Sequence, residues 1–358
     1  MDRRAFLQPG SLAKSFPAPG EDFSEETDAV RSNQDPSSPD ESAAPQLLRF
    51  SQKAMGTIFE WVFPYGVADA SRLAVDAFAL IERLEELLSI YRADSEVSRL
   101  NATGPQPGGS RVSQPLWELI TQSKALFDLT EGAFDPACGA LIKSWGFFKG
   151  PFRVPPEEEM ASLLGAGGMK QVELLARSQR IFHRTDGVEW NFGAIGKGYA
   201  IDCVARWLQS RAGVESFLLH SGRSSIYAKG RSPAEESGWV IQVNHPISDG
   251  PLANVRLQEG ALATSAATFR KFEHEGKTYG HVLDPRIGYP SNALLSATAY
   301  APQSAMADAL STAVFVAGAE LAERLCQDDP RLGFLLLGTE ENAPYRVVGK
   351  MRDLVLDR

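Results

Sequence analysis

Asp308 and Thr312 stand four residues apart in a run of Ala, Leu, Val and Phe between Ala305 and Ala317. On a helix that spacing puts two oxygen donors on one face. Both are hard ligands of the kind Mg²⁺ takes, and a carboxylate in so apolar a run is costly unless something pairs with it. The same residues can instead serve the fold, with Asp308 capping a neighbouring loop and Thr312 bonding back to its own helix. His281 and Asp284 flank Val282 and Leu283 at the start of His281–Pro290, read as a strand entering a Pro/Gly turn. A His near an Asp is a candidate acid–base pair, or a structural histidine at a strand end. Gly193-Ala194-Ile195-Gly196-Lys197-Gly198 precedes a helical pattern. It suits close backbone approach to a ligand, with Lys197 as a point charge on a phosphate, or else a simple turn. Asp135, in Thr130–Pro136, suits either a nucleobase or ribose edge or an Asx-turn. Tyr91, at the end of a long helical pattern, suits stacking on a flat ring or closing the core.

These residues need elements to hold them. Leu73, Phe78, Leu80, Ile81, Leu84, Leu87 and Leu88 recur at helical spacing within Ala68–Tyr91. Further helices are expected over 117–129, 156–164, 195–209 and 305–317. Phe50–Phe63 reads as one or two strands around Met55-Gly56-Thr57. Other strands are expected near 172–175, 180–183, 189–191, 217–219, 239–243 and 334–337, with a strand pair about Gly276-Lys277. Helices and strands do not alternate strictly, so the fold class is α+β rather than a doubly wound sheet.

With 358 residues, 43% of them hydrophobic, the chain can bury a large core. A net charge of −9 argues against a general nucleic-acid binder. The same acidity means that an anionic ligand needs local help from a cation or a helix N-terminus. Cys138, Cys203 and Cys326 are widely spaced, which argues against a disulfide framework or a zinc site. No apolar run is long enough for a transmembrane helix. Residues 1–46 read as a disordered segment, rich in Pro, Ser, Asp and Glu from about residue 17, and the folded domain as 47–358. Asp2-Arg3-Arg4-Ala5-Phe6-Leu7 looks like a twin-arginine export start, but the apolar stretch such a signal needs does not follow. Localisation is therefore open between the periplasm and the cytoplasm.

Six blocks taken in order carry a resemblance. They are Met55-Gly56-Thr57; Tyr91 with Asp94–Asn101; Gly132–Pro136 through Trp145-Gly146-Phe147; Gly193–Asp202; His281–Pro290; and Ala307–Ala313. From about Leu48 onward the sequence resembles the ApbE family of flavin transferases. The resemblance implies an ApbE-like, T-fold-related mixed sheet with helices, in two intimately joined subregions with an FAD cleft between them. It places Met55, Tyr91, Ala133, Phe134, Asp135, Asn191, Lys197 and Leu283 at flavin-nucleotide positions. It places Asp308 and Thr312, with the Ala194 carbonyl, at Mg²⁺ positions, and Ser311 beside them. The implied reaction is Mg²⁺-dependent transfer of FMN from FAD to a Thr or Ser hydroxyl of an acceptor flavoprotein, with release of AMP. His281 and Asp284 are the candidates for assisting deprotonation of that hydroxyl. Alternatives are a metal-dependent FAD pyrophosphatase and a non-catalytic flavin-binding protein. Two departures stand out: Asn191 where the family often has Asp, and His220-Ser221-Gly222-Arg223-Ser224-Ser225 where an Asn-x-Gly-Gly-Asp-like stretch is usual.

Overall fold

The structure is a computed structural model that describes residues 47–356, apart from 212, 223, 236, 249, 267–270 and 341–343. The twin-arginine start, the 1–46 segment and Arg223 lie outside the described residues.

Strands β1 (Leu47–Ala54) and β2 (Thr57–Pro64) form a hairpin closed by Met55 and Gly56, both at positive φ. Two successive left-handed residues give a turn whose twist matches the strands. Met55 lacks glycine's freedom, and such a residue costs about 1–3 kcal/mol. Its N–H is held by the Glu85 carboxylate at 2.9 Å. Glu85 belongs to helix α1 (Ala70–Leu88), whose Ala74, Ala77, Ile81 and Leu84 face the core.

A long excursion follows. It contains α2 (Glu96–Thr103), β3 (Ser110–Arg111), α3 (Gln114–Leu129), α4 (Gly139–Ser144), α5 (Glu157–Ala166), β4 (Val172–Leu175) and β5 (Arg180–His183). Strands β3, β5 and β4 make a small sheet of their own. The chain returns through α6 (Gly196–Gln209) to β6 (Phe217–Ser221) and β7 (Ser225–Lys229). A hairpin of β8 (Trp239–Asn244) and β9 (Pro251–Leu257) precedes β10 (Glu259–Ala266). A second hairpin, β11 (Lys271–His274) and β12 (Lys277–Gly280), precedes β13 (Ser296–Ala301). Helices α7 (Ser304–Ala317) and α8 (Ala319–Asp328) lead to β14 (Gly333–Leu337) and β15 (Arg346–Gly349).

The main sheet runs β1-β2-β6-β7-β10-β13-β14-β15, so its order in space is its order in sequence. All its ladders are antiparallel, where a mixed sheet was expected. The reason is topological: each excursion leaves and re-enters at the same end of the sheet, so no parallel crossover is needed.

Side-chain alternation divides the sheet into two faces. Phe59, Trp61, Phe217, Ala261, Ala263, Ala297, Ala299 and Phe334 pack with the helices α1, α6 and α7. Val62, Ala228, Leu262, Leu335 and Leu337 pack with Trp239, Ile241 and Val255 of the β8–β9 hairpin. The α+β reading therefore holds. A third, smaller cluster gathers Trp145, Phe147, Met160 and Leu283, with Phe272, Tyr279 and Tyr289 against it. Val282 packs in the first cluster and Leu283 in this one, as their alternation requires.

Three local expectations are corrected. Residues 189–191 are not a strand; only Glu189 bridges, to Cys138, while the Asn101 side chain pairs with the Trp190 backbone on both sides (3.0 and 2.8 Å). Residues 281–290 form a looped turn rather than a strand, closed by a single Leu283–Pro290 bridge and by Asp284 N–H to Tyr289 O at 2.8 Å. Pro285 and Pro290 lack the N–H that a longer ladder needs. Helix α1 stops at Leu88, so Tyr91 sits in the turn beyond it, 58% exposed, and does not close the core.

Candidate active site

Helices α6 and α7 meet at their N-termini, and the sequence's metal and phosphate candidates meet there too. Asp308 is buried. Its Oδ2 accepts from Gly198 N–H at 3.1 Å and its Oδ1 from the Ser225 hydroxyl at 3.0 Å. The Lys197 ammonium lies 3.9 Å from Oδ2 and donates to the Gly193 carbonyl at 3.1 Å. Thr312 donates to the Asp308 carbonyl at 3.2 Å, and Ser311 does the same at 2.9 Å. The Ser265 hydroxyl reaches both Ser311 and Thr312, at 2.9 and 3.0 Å. Asp308 thus caps the start of helix α6 rather than the loop expected of its structural reading, and Thr312 bonds back to its own helix, as its structural reading expected. Neither contact uses up the oxygen: Asp308 has lone pairs left on both atoms, and Thr312 spends its proton but not all its acceptor capacity.

This donor set fits a hard divalent cation. It offers one carboxylate and a hydroxyl, and the Ala194 carbonyl belongs to the turn just before α6. Mg²⁺ is typically held by one or two carboxylates, with substrate phosphates and water completing its shell. No cluster of three or more His, Cys, Asp or Glu residues suited to a metal occurs among the described residues.

A continuous path of contacts runs from this corner to Asp135. The Asn191 side chain accepts from Gly193 N–H at 2.9 Å, and the Asn191 N–H donates to Pro136 O at 2.7 Å. Asn191 therefore makes the Asx-turn that an Asp would make, without the charge. Next to Pro136, Asp135 accepts from Ala137 N–H at 2.8 Å and from Met169 N–H at 2.9 Å. Its Asx-turn reading is met, and it also faces a cavity lined by Phe127, Leu141, Leu163, Lys170 and Arg286. Burial pushes its carboxyl up to about 6, against the pull of these two N–H donors.

This shift carries a pH consequence. The folded Asp135 binds its proton more tightly than the unfolded chain does, so its contribution to stability falls as pH rises from about 4 to about 6 and is flat above that. The expected loss across the window is about 3 kcal/mol. Urea midpoints of the wild type and of Asp135→Asn, compared from pH 4 to 7, test it. The wild type should lose ground to the variant across the window; parallel curves would refute the assignment.

Other nucleotide candidates are placed less directly. The Ala133, Phe134 and Leu283 side chains are buried in packing clusters, so only their backbone can face a ligand. Phe134 N–H is already given to Thr130 Oγ1 at 3.2 Å. The Tyr91 ring stacks on Phe148 at 5.0 Å between centroids and remains open to solvent, a shelf for a flat ring. Asp284 is taken: Arg286 grips it through Nε at 2.8 Å and Nη2 at 2.7 Å. His281 sits edge-on to Phe147 with ring centroids 6.4 Å apart.

Ser225 and Ser265 complete the corner and carried little signal. Ser225 lies inside the stretch that departs from the family pattern, and Ser265 is one small residue in a run of Ala, Thr and Ser. What reveals them is the register: Ala263 pairs with Ser225 across β10 and β7, beneath α7. All three cysteines are free.

The fold and the corner define an antiparallel α+β protein whose oxygen donors and lysine converge where two helices begin. The chain belongs to the ApbE family, matching it over residues 55–336. It is 31% identical over 316 residues to a FAD:protein FMN transferase of Klebsiella pneumoniae, spanning 87% of this chain and 92% of that protein. It is 30% identical to one of Vibrio cholerae, over 77% of this chain and 83% of that protein. Among solved structures, the ApbE protein of Thermotoga maritima superposes with a TM-score of 0.78 at 28% identity, covering 87% of this chain and all of that one.

Proposed function

We propose that this chain, through a transferase unit spanning 47–358, is an FAD:protein FMN transferase. It takes FAD with Mg²⁺, passes FMN to a Thr or Ser hydroxyl of an acceptor flavoprotein and releases AMP. The observation that supports this most is the α6–α7 corner, where one buried carboxylate, one ammonium and a helix N-terminus converge. That is the equipment for a pyrophosphate on an otherwise acidic protein.

In the reaction, the acceptor oxygen attacks the FMN phosphorus and an O–P bond forms. The pyrophosphate P–O bond breaks, and AMP leaves with its electron pair. Asp308, Thr312 and the Ala194 carbonyl would hold Mg²⁺, which would supply charge neutralisation to the pyrophosphate. Lys197 adds a point charge, and the α6 N-terminus adds backbone dipoles fixed before the reaction begins. The exposed Tyr91 ring offers stacking area for the isoalloxazine. His281 accepts the hydroxyl proton. Asp284, held by Arg286, orders the 284–290 turn rather than acting as a base.

The test is incubation of the protein with FAD, Mg²⁺ and an acceptor peptide carrying the hydroxyl, followed by mass spectrometry. FMN on the peptide with equimolar AMP is expected. Free FMN and AMP with an unmodified peptide would establish a pyrophosphatase instead, and retained, intact FAD a binding protein.

A further inference from the structure

We propose that Asp202 is a positioning residue for the site, acting through helix α7 on Asp308; this rests on the metal-assisted reading above. Neither helix caps itself. Ile195, at the start of α6, and Gln303, at the start of α7, make no side-chain cap. Each helix instead receives its cap from the other. Asp202 of α6 accepts from Ser304 N–H at 2.7 Å and from Ala305 N–H at 2.9 Å, the opening amides of α7. Asp308 of α7 accepts from Gly198 N–H of α6. The first four amides of a helix lack internal partners, so each exchange satisfies groups that burial would otherwise leave unpaired.

This reciprocity links a residue away from the ligand to one that would touch it. Ser304 and Asp308 are separated by four residues and so share a face of α7, toward α6. Asp202 fixes the first turn of α7, and Asp308 follows one turn later. Asp202 is itself buried and turns both oxygens to the opening amides of α7, so its role is to hold that helix start. With Ser225 holding Oδ1 from the sheet side, the Asp308 carboxylate is located from α6, from β7 and, through Asp202, from its own helix start.

The test uses Asp202→Asn in the full chain, with Mn²⁺ as the probe ion and ADP as the pyrophosphate-bearing ligand. The amide keeps one acceptor and loses the other. Mn²⁺ affinity measured by calorimetry in saturating ADP should fall about tenfold, the size of one lost cap. In turnover, the Mg²⁺ concentration for half-maximal rate should rise about tenfold, while the rate at saturating Mg²⁺ stays within about threefold. Adding Gln303→Asp, which gives α7 a cap of its own at a preferred position, should restore most of the Mn²⁺ affinity. It also provides a folded variant should the single change not fold. A variant that melts earlier but binds Mn²⁺ as the wild type does would overturn the proposal and leave Asp202 a purely structural residue. A double variant that recovers stability without affinity would overturn it too. Wild-type protein that binds ADP but no Mn²⁺ would instead remove the metal reading on which the inference stands.

Discussion

Replacing Asp308 with alanine is expected to lower FMN transfer by on the order of 10²–10³-fold, the usual cost of removing one pre-placed charge-stabilising group, and to abolish its dependence on Mg²⁺. Asp308 is the carboxylate that three groups from α6 and β7 aim at: Gly198 N–H, the Lys197 ammonium and the Ser225 hydroxyl. Alanine would leave a buried amide without its acceptor, at a further cost of about 1–3 kcal/mol in stability. Asp308→Asn separates the two effects. It keeps an acceptor for Gly198 and so restores stability, but it removes the charge and should remain nearly inactive. Steady-state rates across a Mg²⁺ titration, alongside thermal melting, give the answer. An alanine variant with wild-type Mg²⁺ dependence would take Asp308 out of the metal site.

Gly198→Ala is expected to be nearly as damaging, for a steric reason. A Cβ at this position would lie 2.5 Å from the Ser304 carbonyl carbon and 2.7 Å from the Ala305 nitrogen, and closer still to the Ser304 oxygen. All of these are backbone atoms, so no side chain can swing aside. The helices must part, at a cost of about 3 kcal/mol, and with them go both reciprocal caps and the location of Asp308. Gly196→Ala is the control. Its Cβ would meet only Phe192 Cβ, at an ordinary 3.6 Å, and it should unfold within about 1 kcal/mol of the wild type. Denaturant midpoints for the pair decide the matter: equal losses would mean that the close α6–α7 approach is not what this glycine serves.

The elements that could be read from the sequence are those whose periodicity reports a one-sided environment. Helix α1, with leucines on one stripe, lies within three residues of expectation at each end, and strands β4 and β5 match it. The strands at the heart of the sheet were not legible. Strands β10 and β13 read Glu-Gly-Ala-Leu-Ala-Thr-Ser-Ala and Ser-Ala-Thr-Ala-Tyr-Ala, built from small residues with little strand preference. Their smallness is imposed by α7, which lies directly on them, so the cause is tertiary. The site shows the same division. Asp308 and Thr312 stand out because polar oxygens interrupt an apolar helix. Ser225 and Ser265 do not, because a serine in a strand is ordinary until the register brings it under that helix. The Asp202–Asp308 exchange could not be seen either, since 106 residues separate the partners and no local pattern reports which helix start each will meet.

The match between strand order and chain order bears on how this protein is made. A meander can be laid down edge first as it leaves the ribosome, β1 and β2 before β6 and β7, each new strand finding its neighbour already in place. Lys197, Ser225 and Ser265 are all present before α7 emerges, but the carboxylate they await is not. The corner can therefore close only once the nascent chain has delivered α7, the last of its contributors to emerge. On the proposed function, a nucleotide held at this corner would stabilise a sheet already assembled rather than guide its assembly.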